Sequence, residues 1–445
     1  MRSARLGEVV ASMKNGMYKP ASEYGDDGLP CLRMYNIDAG GIVWRDIKRM
    51  RVTDQEYADY GLHEGDLLVN RVNSRELVGK AAYIPASLEP SVFESKNIRV
   101  RLDTSKALPK FINYQLFASG SRHFANNAQQ VVGMASISQG QLADFPIVLT
   151  SLDEQREIVA ELEKQFSRLD EAVANLQRVK SNLNRYKASI LKAAVEGRLV
   201  ETEATLAHRE GRTYETGEQL LQRIIEARRK SSKAKRNVAL SPLPPRLLPR
   251  DIPTGWAWTT TGQLCDCIVP NRDKPKTFTG DIPWLTLPDF DDSEIAVAGS
   301  KSGLGFTESE VQLYSAKVIP VDSVVMSCVG RFGISAVLSR RSVINQQLHA
   351  FLPNGGHLPR YLAYVLRTRE QEMVSRSTAT TIAYLNKENC NSITVPLPPL
   401  AEQIRIVADV DRHLSIIREV ETEVDVYLKR AQALRQSTLT KAFAS

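Results

Sequence analysis

Residues 152–160 read Leu-Asp-Glu-Gln-Arg-Glu-Ile-Val-Ala, and residues 400–408 read Leu-Ala-Glu-Gln-Ile-Arg-Ile-Val-Ala. The same offset of 248 residues holds further on, where Ser-Ile-Leu-Lys-Ala-Ala at 189–194 matches Ser-Thr-Leu-Thr-Lys-Ala at 437–442. No gap is needed between these two anchors. A repeat of this length indicates two copies of a whole structural unit, in contrast to the short repeat of a solenoid.

A stripe of apolar residues follows each copy of the motif. The stripe after the first copy has steps of three and four residues, with one slip in register: Val159, Leu162, Phe166, Leu169, Val173, Leu176, Val179, Leu183, Tyr186 and Ile190. The stripe after the second copy has matching spacing: Val407, Val410, Leu414, Ile417, Val424, Tyr427, Ala431 and Leu434. Such spacing is typical of coiled-coil helices, so we predict helices over about 152–198 and 400–442.

Each predicted helix is about 68 Å long and cannot bury its own stripe. We therefore expect the two helices to pair within the chain; the alternative is that each stripe binds a separate partner helix. We expect one surface of each helix to serve both for pairing with the other helix and for binding partner subunits. Its residues are Leu152, Gln155, Leu162, Phe166, Leu169, Leu176, Leu400, Gln403, Val410, Leu414, Ile417 and Val424.

The segments in front of the two helices are diverged copies of one fold. Three pairs of segments carry this match: 28–33 with 281–286, 63–69 with 319–325, and 108–114 with 358–364. The first two pairs predict strands after turns, and the third predicts a short helix that begins at a proline. The sequences between these segments differ greatly, which is typical of a shared scaffold with divergent loops. The predicted fold class is mixed α/β (α+β).

A linker of about fifty residues separates the first helix from the second front module. It contains a predicted amphipathic helix around 218–229 and a basic run formed by Arg228, Arg229, Lys230, Lys233, Lys235 and Arg236. The run could contact a phosphate backbone, or it could be a solvated linker. The predicted divisions are a first module (1–150), a central helix (151–199), the linker (200–252), a second module (253–397) and a C-terminal helix (398–445).

Composition limits the class of protein. The chain has 445 residues and a net charge of +7, which favours a polyanionic partner. No apolar run approaches the ~20 residues that cross a bilayer, and the N-terminus lacks the apolar core of a secretory signal. The five cysteines form no CxxC pair. We expect a cytoplasmic protein with no membrane association.

The sequence offers no recognisable active site. The glycine-rich phosphate loops, the serine nucleophile elbow and the paired-histidine zinc motif are all missing. Four acidic residues at 289–294 could bind a metal, but a solvated loop is the preferred interpretation, and we expect no metal. We expect no catalytic residue in this chain.

DNA binding requires only cations for phosphates and polar side chains for base edges. Loops of both front modules supply such residues, although a polar loop can also be merely polar. The candidate DNA-binding residues are Arg33, Arg71, Asn73, Arg75, Lys80, Asn127, Gln130, Arg272, Lys274, Lys276, Arg331, Arg376 and Thr378.

Several linked motifs resemble one family over essentially the whole chain, the specificity (S) subunits of type I DNA restriction–modification systems. These motifs are the two Leu-x-Glu-Gln-x-x-Ile-Val copies, the extended segments at Pro146 and Pro396, the helix end at 190–199, the linker segment 209–217 and Pro-Thr-Gly-Trp-Ala-Trp at 253–258. One departure is at the start, where the first module lacks a counterpart of Gly-Trp-Ala-Trp.

The resemblance implies two target recognition domains, related by a pseudo-twofold axis and separated by two antiparallel helices. It implies an asymmetric bipartite site in double-stranded DNA, one half-site per domain. The partners implied are two modification (methyltransferase) subunits and restriction (translocase–nuclease) subunits, which would hold S-adenosylmethionine, ATP and Mg. Such a subunit is not an enzyme by itself. A structural coiled-coil adaptor and a single-chain methyltransferase or nuclease are the alternatives, both less favoured by the sequence.

Overall fold

The computed structural model describes residues 1–131, 133–230, 252–270, 275–291, 294–377 and 383–444. Contacts divide the chain into unit 1, which comprises Met1–Gln177 and Asp425–Ser445, and unit 2, which comprises Arg178–Val424. Each unit therefore contains one front module and a part of both long helices.

The strands of the two modules are short. Those of unit 1 are β1 (Arg2–Arg5), β2 (Val10–Asn15), β3 (Tyr24–Gly25), β4 (Leu29–Leu32), β5 (Ile37–Asp38), β6 (Gly41–Ile42), β7 (Lys48–Met50), β8 (Leu67–Asn70), β9 (Val72–Asn73), β10 (Ala81–Tyr83), β11 (Val92–Phe93), β12 (Asn97–Leu102), β13 (Gln129–Val131), β14 (Met134–Ser136) and β15 (Pro146–Leu149). Those of unit 2 are β16 (Ala257–Thr260), β17 (Cys267–Ile268), β18 (Ile282–Leu285), β19 (Ala296–Val297), β20 (Gly305–Phe306), β21 (Val318–Ile319), β22 (Val324–Ser327), β23 (Ser335–Leu338), β24 (Ser342–Ile344), β25 (Leu348–Phe351) and β26 (Thr394–Leu397).

The helices lie between and after these strands. They are α1 (Asp54–Tyr60), α2 (Pro109–Gln115), α3 (Ser121–Asn127), α4 (Gln139–Ala143), α5 (Leu152–Val195), α6 (Glu203–Glu210), α7 (Gly217–Lys230), α8 (Thr261–Leu264), α9 (Glu308–Leu313), α10 (Pro359–Arg367), α11 (Glu370–Arg376), α12 (Lys387–Asn391) and α13 (Leu400–Ala442). The two long helices, the mixed α/β class and the proline-initiated α2 and α10 confirm the predictions.

The two modules share a sheet order. The main sheet of unit 1 runs β10-β8-β12-β2, and that of unit 2 runs β23-β22-β25-β17 with β19 added beyond β23. In the second sheet of each unit one strand pair is parallel, β4 with β11 and β18 with β24. An antiparallel pair, β1 with β15 or β16 with β26, joins the start of each module to the strand before its long helix. The predicted duplication of the front modules is confirmed by this topology.

Apolar cores lie between the main sheet, α2 or α10, and the start of the long helix. In unit 1 the core contains Phe111, Phe145 and Val159. In unit 2 it contains Tyr361, Leu397 and Ile406 among many others. Burial of each such side chain stabilises the fold by about 1.5–3 kcal/mol, so each long helix begins as an integral part of its module.

The long helices pair within each unit. In unit 1, Arg435 lies over the Phe166 ring, at 4.9 Å, while Phe443 packs in the cluster that contains Val159. In unit 2, Tyr186 packs against His413 and the cluster extends from Ile190 to Ile406. Rising residue numbers on one helix meet falling numbers on the other, so the pairing is antiparallel.

The linker contains more structure than the sequence predicts. The predicted amphipathic helix is present as α7, whereas α6 was not predicted. Arg228, assigned to a basic run, instead points inward, where it donates to the carbonyls of Gly262 and Gln263 and pairs with Asp266. Lys233, Lys235 and Arg236 lie outside the described residues. Among the described residues, every helix is too short or too polar to span a lipid bilayer.

Candidate nucleic-acid interface

A buried asparagine network supports one loop of unit 1. Asn97 donates to the carbonyl of Leu32 at 3.2 Å, and its own Oδ1 accepts from Asn70 at 2.6 Å. Asn73 then donates to Asn70 Oδ1 at 2.5 Å. Because every link is buried and paired, this network fixes the beginning of the loop over residues 71–76.

A small three-stranded sheet extends from this network. Its strands run β13-β14-β9, and Ala135 lies opposite both Asn73 and Gln130 in the register. Ile137 also donates its N–H to the Arg71 carbonyl at 2.9 Å. The structure therefore brings the backbone of three predicted residues together: Arg71, Asn73 and Gln130.

A basic edge lies beside this sheet; we use that name for Arg33, Arg71 and Lys96. The Arg71 N–H donates to the Lys96 carbonyl at 2.9 Å. The strand that leads into Arg33 is tied to the same segment, because Glu94 N–H donates to the Leu32 carbonyl at 3.1 Å. Lys96 was not among the predicted residues, and β-pairing, which a linear sequence does not display, brings it to this edge.

Two guanidinium groups of the basic edge are incompletely paired. The Nε atoms of Arg33 and Arg71 are both buried and lack any hydrogen-bond partner in the described part of the chain. Arg33 otherwise lies over the Tyr35 ring, at 4.3 Å, and donates through Nη2 to the Asp46 carbonyl at 2.9 Å. A buried donor without a partner costs about 1–3 kcal/mol, so these two side chains are not held in place by their Nε atoms.

Exposed aromatic rings flank the basic edge. Tyr18 is 83% exposed and follows Met17, whose backbone pairs with Ser95 next to Lys96. Tyr35 is also exposed beneath the Arg33 guanidinium. Cations with neighbouring exposed rings are typical of surfaces that contact nucleic-acid backbones and bases.

The remaining candidates of unit 1 are already engaged within the unit. Arg75 Nε donates to the Ala125 carbonyl at 2.9 Å, and Lys80 pairs with Asp38 at 2.9 Å. Asn127 donates to the His123 carbonyl at 2.8 Å. These contacts order the loops around the basic edge.

The matching loop of unit 2 is built differently. Ser327 occupies the strand position of Asn70, and its hydroxyl donates to the Arg331 carbonyl at 2.7 Å. Leu348 occupies the position of Asn97. The loop pairs with residues 383–385, which leaves Arg331 exposed at its tip.

The other predicted residues of unit 2 have diverse placements. Lys276 is exposed. Arg376 is largely buried, pairs with Glu372 at 2.7 Å and donates to Ser392, so its guanidinium holds α11 to α12. Arg272, Lys274 and Thr378 lie outside the described residues.

The apolar residues predicted to pair the helices differ in how deeply they are buried. Those buried in a cluster with the other helix or a module are Leu162, Phe166, Val410, Leu414 and Ile417. Val424 is buried, and Leu152, Leu169, Leu176 and Leu400 are half-buried. The predicted stripe is interrupted, because Val179, Tyr186, Tyr427 and Leu434 are 40–57% exposed.

Gln155 and Gln403 contact the front modules. Gln155 accepts from the Leu108 N–H at 2.8 Å and donates to the carbonyls of Thr150 and Lys106 at 2.9 and 3.2 Å. Gln403 accepts from the Leu358 N–H and donates to the Pro398 carbonyl, both at 3.0 Å. Both side chains are fully buried, so each amide binds its long helix to the turn before α2 or α10.

A second contact set in unit 2 was missed by the sequence. Glu402 is fully buried and accepts from Trp256 Nε1 at 2.9 Å and from the Glu203 N–H at 2.8 Å. Burial raises the pKa of Glu402. Burial would also raise the pKa of Glu203, but ion pairs with Arg212 at 2.5 Å and Arg405 at 2.7 Å lower it overall.

Two members of the acidic segment at 289–294, Asp289 and Glu294, make structural contacts, and Asp292 lies outside the described residues. Asp289 accepts from Thr286 and from the Lys301 N–H at 2.6 Å, and Glu294 pairs with Arg418 at 2.7 Å. Within the described ranges, no group of three potential metal ligands is assembled. All five cysteines are buried free thiols, and burial raises the pKa of each one. For Cys328 the pKa rises to about 12.

A profile of the Type I restriction modification DNA specificity domain matches residues 2–181 and 253–425, which is more than half of the chain. The chain belongs to this family. The two matched segments include both front modules and the beginning of each long helix.

Curated relatives match this chain, and a solved structure shares its fold. The chain is 24% identical to the EcoBI specificity subunit of Escherichia coli over 98% of this chain and 84% of that relative. It is 27% identical to the StySPI specificity subunit of Salmonella potsdam over 44% of this chain, a match that spans 43% of that relative. A chain from a structure on complex assembly and conformational transition of the type I R-M system shares its fold at a TM-score of 0.66, with 20% identity and coverage of 99% and 97%.

Proposed function

We propose that this chain is the non-catalytic, sequence-reading subunit of a type I restriction–modification complex. It recognises an asymmetric bipartite site in double-stranded DNA, with one half-site for each recognition module. It also forms the scaffold on which two modification subunits and the restriction subunits assemble.

The basic edge of unit 1 carries the proposal. Arg33 and Arg71 are half-buried cations at this edge, and arginine side chains at a protein surface donate to anionic or base-edge acceptors. Arginine at such a position binds phosphate oxygens or, in the major groove, guanine O6 and N7. Tyr18 and Tyr35 give the same edge exposed rings.

The difference between the two modules supports two unlike half-sites. The same strand position holds Asn70 in unit 1 and Ser327 in unit 2, so the loops that follow present different side chains. Shared sheets with different loops allow one scaffold to read two sequences.

Cofactors and catalysis are assigned to the partners in this proposal. S-adenosylmethionine would be bound by the modification subunits, and ATP and Mg by the restriction subunits. The complex would act in the cytoplasm.

Selection from randomised DNA tests the proposal. The full chain, with its modification subunit, is incubated with a pool of random duplexes at stated salt, since phosphate contacts alone make binding salt-sensitive. We expect enrichment of two short sequence blocks with a fixed gap. Recovery without sequence enrichment would contradict the proposal, and methyl transfer by the chain alone would favour a single-chain methyltransferase instead.

A further inference from the structure

We propose that a duplicated two-point joint fixes the angle of each recognition module on its long helix, and that its members are positioning residues for spacer selection. The joint of unit 1 comprises Gln155, Leu108, Lys110 and Glu163, and that of unit 2 comprises Gln403, Leu358, Arg360 and Asp411. This inference rests on the proposed function.

The first point of each joint is the buried glutamine. Its Oε1 accepts the N–H of a leucine, Leu108 at 2.8 Å or Leu358 at 3.0 Å, immediately before the proline that begins α2 or α10. Its Nε2 donates to carbonyls of the segment that leads into the long helix. With the glutamine fully buried and its amide satisfied at both ends, this point resists sliding.

The second point of each joint is an ion pair. Lys110 pairs with Glu163 at 2.5 Å, and Arg360 pairs with Asp411. Each cation lies two residues after the leucine, and each carboxylate lies eight residues after the glutamine. The hydrogen bond with Glu163 raises the pKa of Lys110, which is the direction expected for a lysine held in an ion pair.

Two points of attachment restrict the rotation of a module on its helix, whereas one point does not. Eight helical residues separate the points by about 12 Å along the axis. A module held at one point can pivot, whereas a module held at two points keeps its angle on the helix. That angle contributes to where the loops of the module meet DNA, and hence to the accepted gap between half-sites.

The repetition of the joint argues for a role beyond stability. The ion pairs are partly exposed, at 42% and 43% for Lys110 and Glu163, and such pairs contribute only about 0–1 kcal/mol to folding. The charge is nevertheless placed identically in both units, although lysine is replaced by arginine and glutamate by aspartate. What the two copies share is the geometry of the contact.

The test uses the full chain with the modification subunit and the duplex that this wild-type complex selects from random DNA. Binding is measured to that duplex, to duplexes with the gap lengthened or shortened by one base pair, and to each half-site alone. For Lys110→Met we expect half-site affinity within about twofold of wild type. Discrimination against altered gaps should fall about twofold to fivefold, which corresponds to about 0.4–1 kcal/mol. Arg360→Met should behave alike.

Three further variants separate positioning from general stability. The charge exchange Lys110→Glu with Glu163→Lys should restore gap discrimination. Arg156→Met, which removes an exposed pair with Asp153 on the same helix but outside the joint, should leave it unchanged. Gln155→Met should produce the largest loss of discrimination, and the lysine variant keeps the inference testable if that protein does not fold.

The outcomes are distinct. If the wild-type complex selects a bipartite duplex and Lys110→Met keeps full gap discrimination, the joint inference is wrong. The same follows if Lys110→Met weakens half-site binding as strongly as it weakens binding to the complete site. If the wild-type complex selects no bipartite sequence, the proposed function itself is wrong.

Discussion

Gln155 and Gln403 share two equivalent contacts, to the leucine before a helix-initiating proline and to the segment before the long helix, whereas the neighbouring Glu154 and Glu402 have unlike contacts. Glu154 is exposed and accepts hydrogen bonds from the hydroxyls of Thr150 and Ser151 in the preceding turn. Glu402 is fully buried and holds Trp256 and the start of α6. The repeated motif thus contains one residue with a shared function and one whose function depends on the surrounding chain.

This difference separates the common scaffold from its additions. The glutamine attaches a module to its helix in both units. The glutamate supports a layer, formed by α6 and the segment around Trp256, that has no counterpart among the described residues of unit 1. The glutamate of the repeated motif therefore contributes to the packing of unit 2 in a way that it does not in unit 1, although the motif itself is nearly the same in both.

Replacing the two glutamates should produce the largest contrast. Glu402→Ala leaves two buried donors, Trp256 Nε1 and the Glu203 N–H, without acceptors. We therefore expect the free energy of unfolding to fall by about 4 kcal/mol. Glu154→Ala changes an exposed residue and should cost under about 0.5 kcal/mol. Chemical denaturation of the two variants measures both, and equal losses would contradict the comparison.

Acid should destabilise unit 2 through a buried histidine. Burial, aided by the charge of Lys387, lowers the pKa of His349 to about 4, from an ordinary 6.5. Between pH 6.5 and pH 4 the histidine binds a proton in the unfolded chain but not in the folded chain. The free energy of unfolding therefore falls as the pH drops from about 6.5 to about 4. The expected loss is on the order of 3 kcal/mol.

The matching position in unit 1 makes the acid effect specific. Ile98 occupies the strand position of His349 and cannot titrate. Hydrogen exchange on peptides from each unit, at neutral and acidic pH, should show β25 losing protection before β12. His349→Gln should reduce the effect, and unchanged acid sensitivity in that variant would exclude this histidine as a contributor.

The asparagine network predicts an intermediate effect on one module. Asn97→Leu installs the residue that unit 2 has at this position and leaves the buried Asn70 amide N–H without its acceptor, while the Leu32 carbonyl keeps the Glu94 N–H. We expect a loss of about 2 kcal/mol, faster hydrogen exchange over residues 71–76 and weaker binding to the first half-site. Preserved binding to the first half-site, measured on separate half-site duplexes, would count against this support for the loop.

Single cations of the basic edge should have the smallest effect. Arg71→Met and Lys96→Met should each weaken DNA binding by about tenfold or less and reduce the salt slope by about one. Arg376→Met, which removes a cation engaged with Glu372, should leave the salt slope unchanged. Binding titrations over a range of salt concentrations distinguish these outcomes, and an equal slope change for all three would show that the cations act only through net charge.

Periodic features of this fold could be predicted from the sequence. The long helices follow from apolar steps of three and four, and α2 and α10 follow from their prolines. The pairing of Glu372 with Arg376 could also be predicted, because residues four apart lie on the same face of a helix. Arg376 is instead among the residues predicted to bind DNA, because it lies next to a polar loop. Local rules were sufficient where the contact was local.

Contacts between distant residues could not be predicted in this way. Asn70 and Asn97 meet through strand register, and Trp256 meets Glu402 from 146 residues away. Gln155 was assigned to helix pairing because it lies on a long helix, yet its amide faces the turn at Leu108. A linear pattern gives the face of a helix and leaves open which neighbour covers it.

Exchange of one module tests the central claim most directly. Residues 1–145 are replaced by the corresponding module of another family member, and the full chain with its modification subunit again selects from randomised DNA. The account predicts that one block of the selected sequence changes while the other block and the gap remain. Selection in which both blocks change, or neither does, would contradict one scaffold with two independent readers.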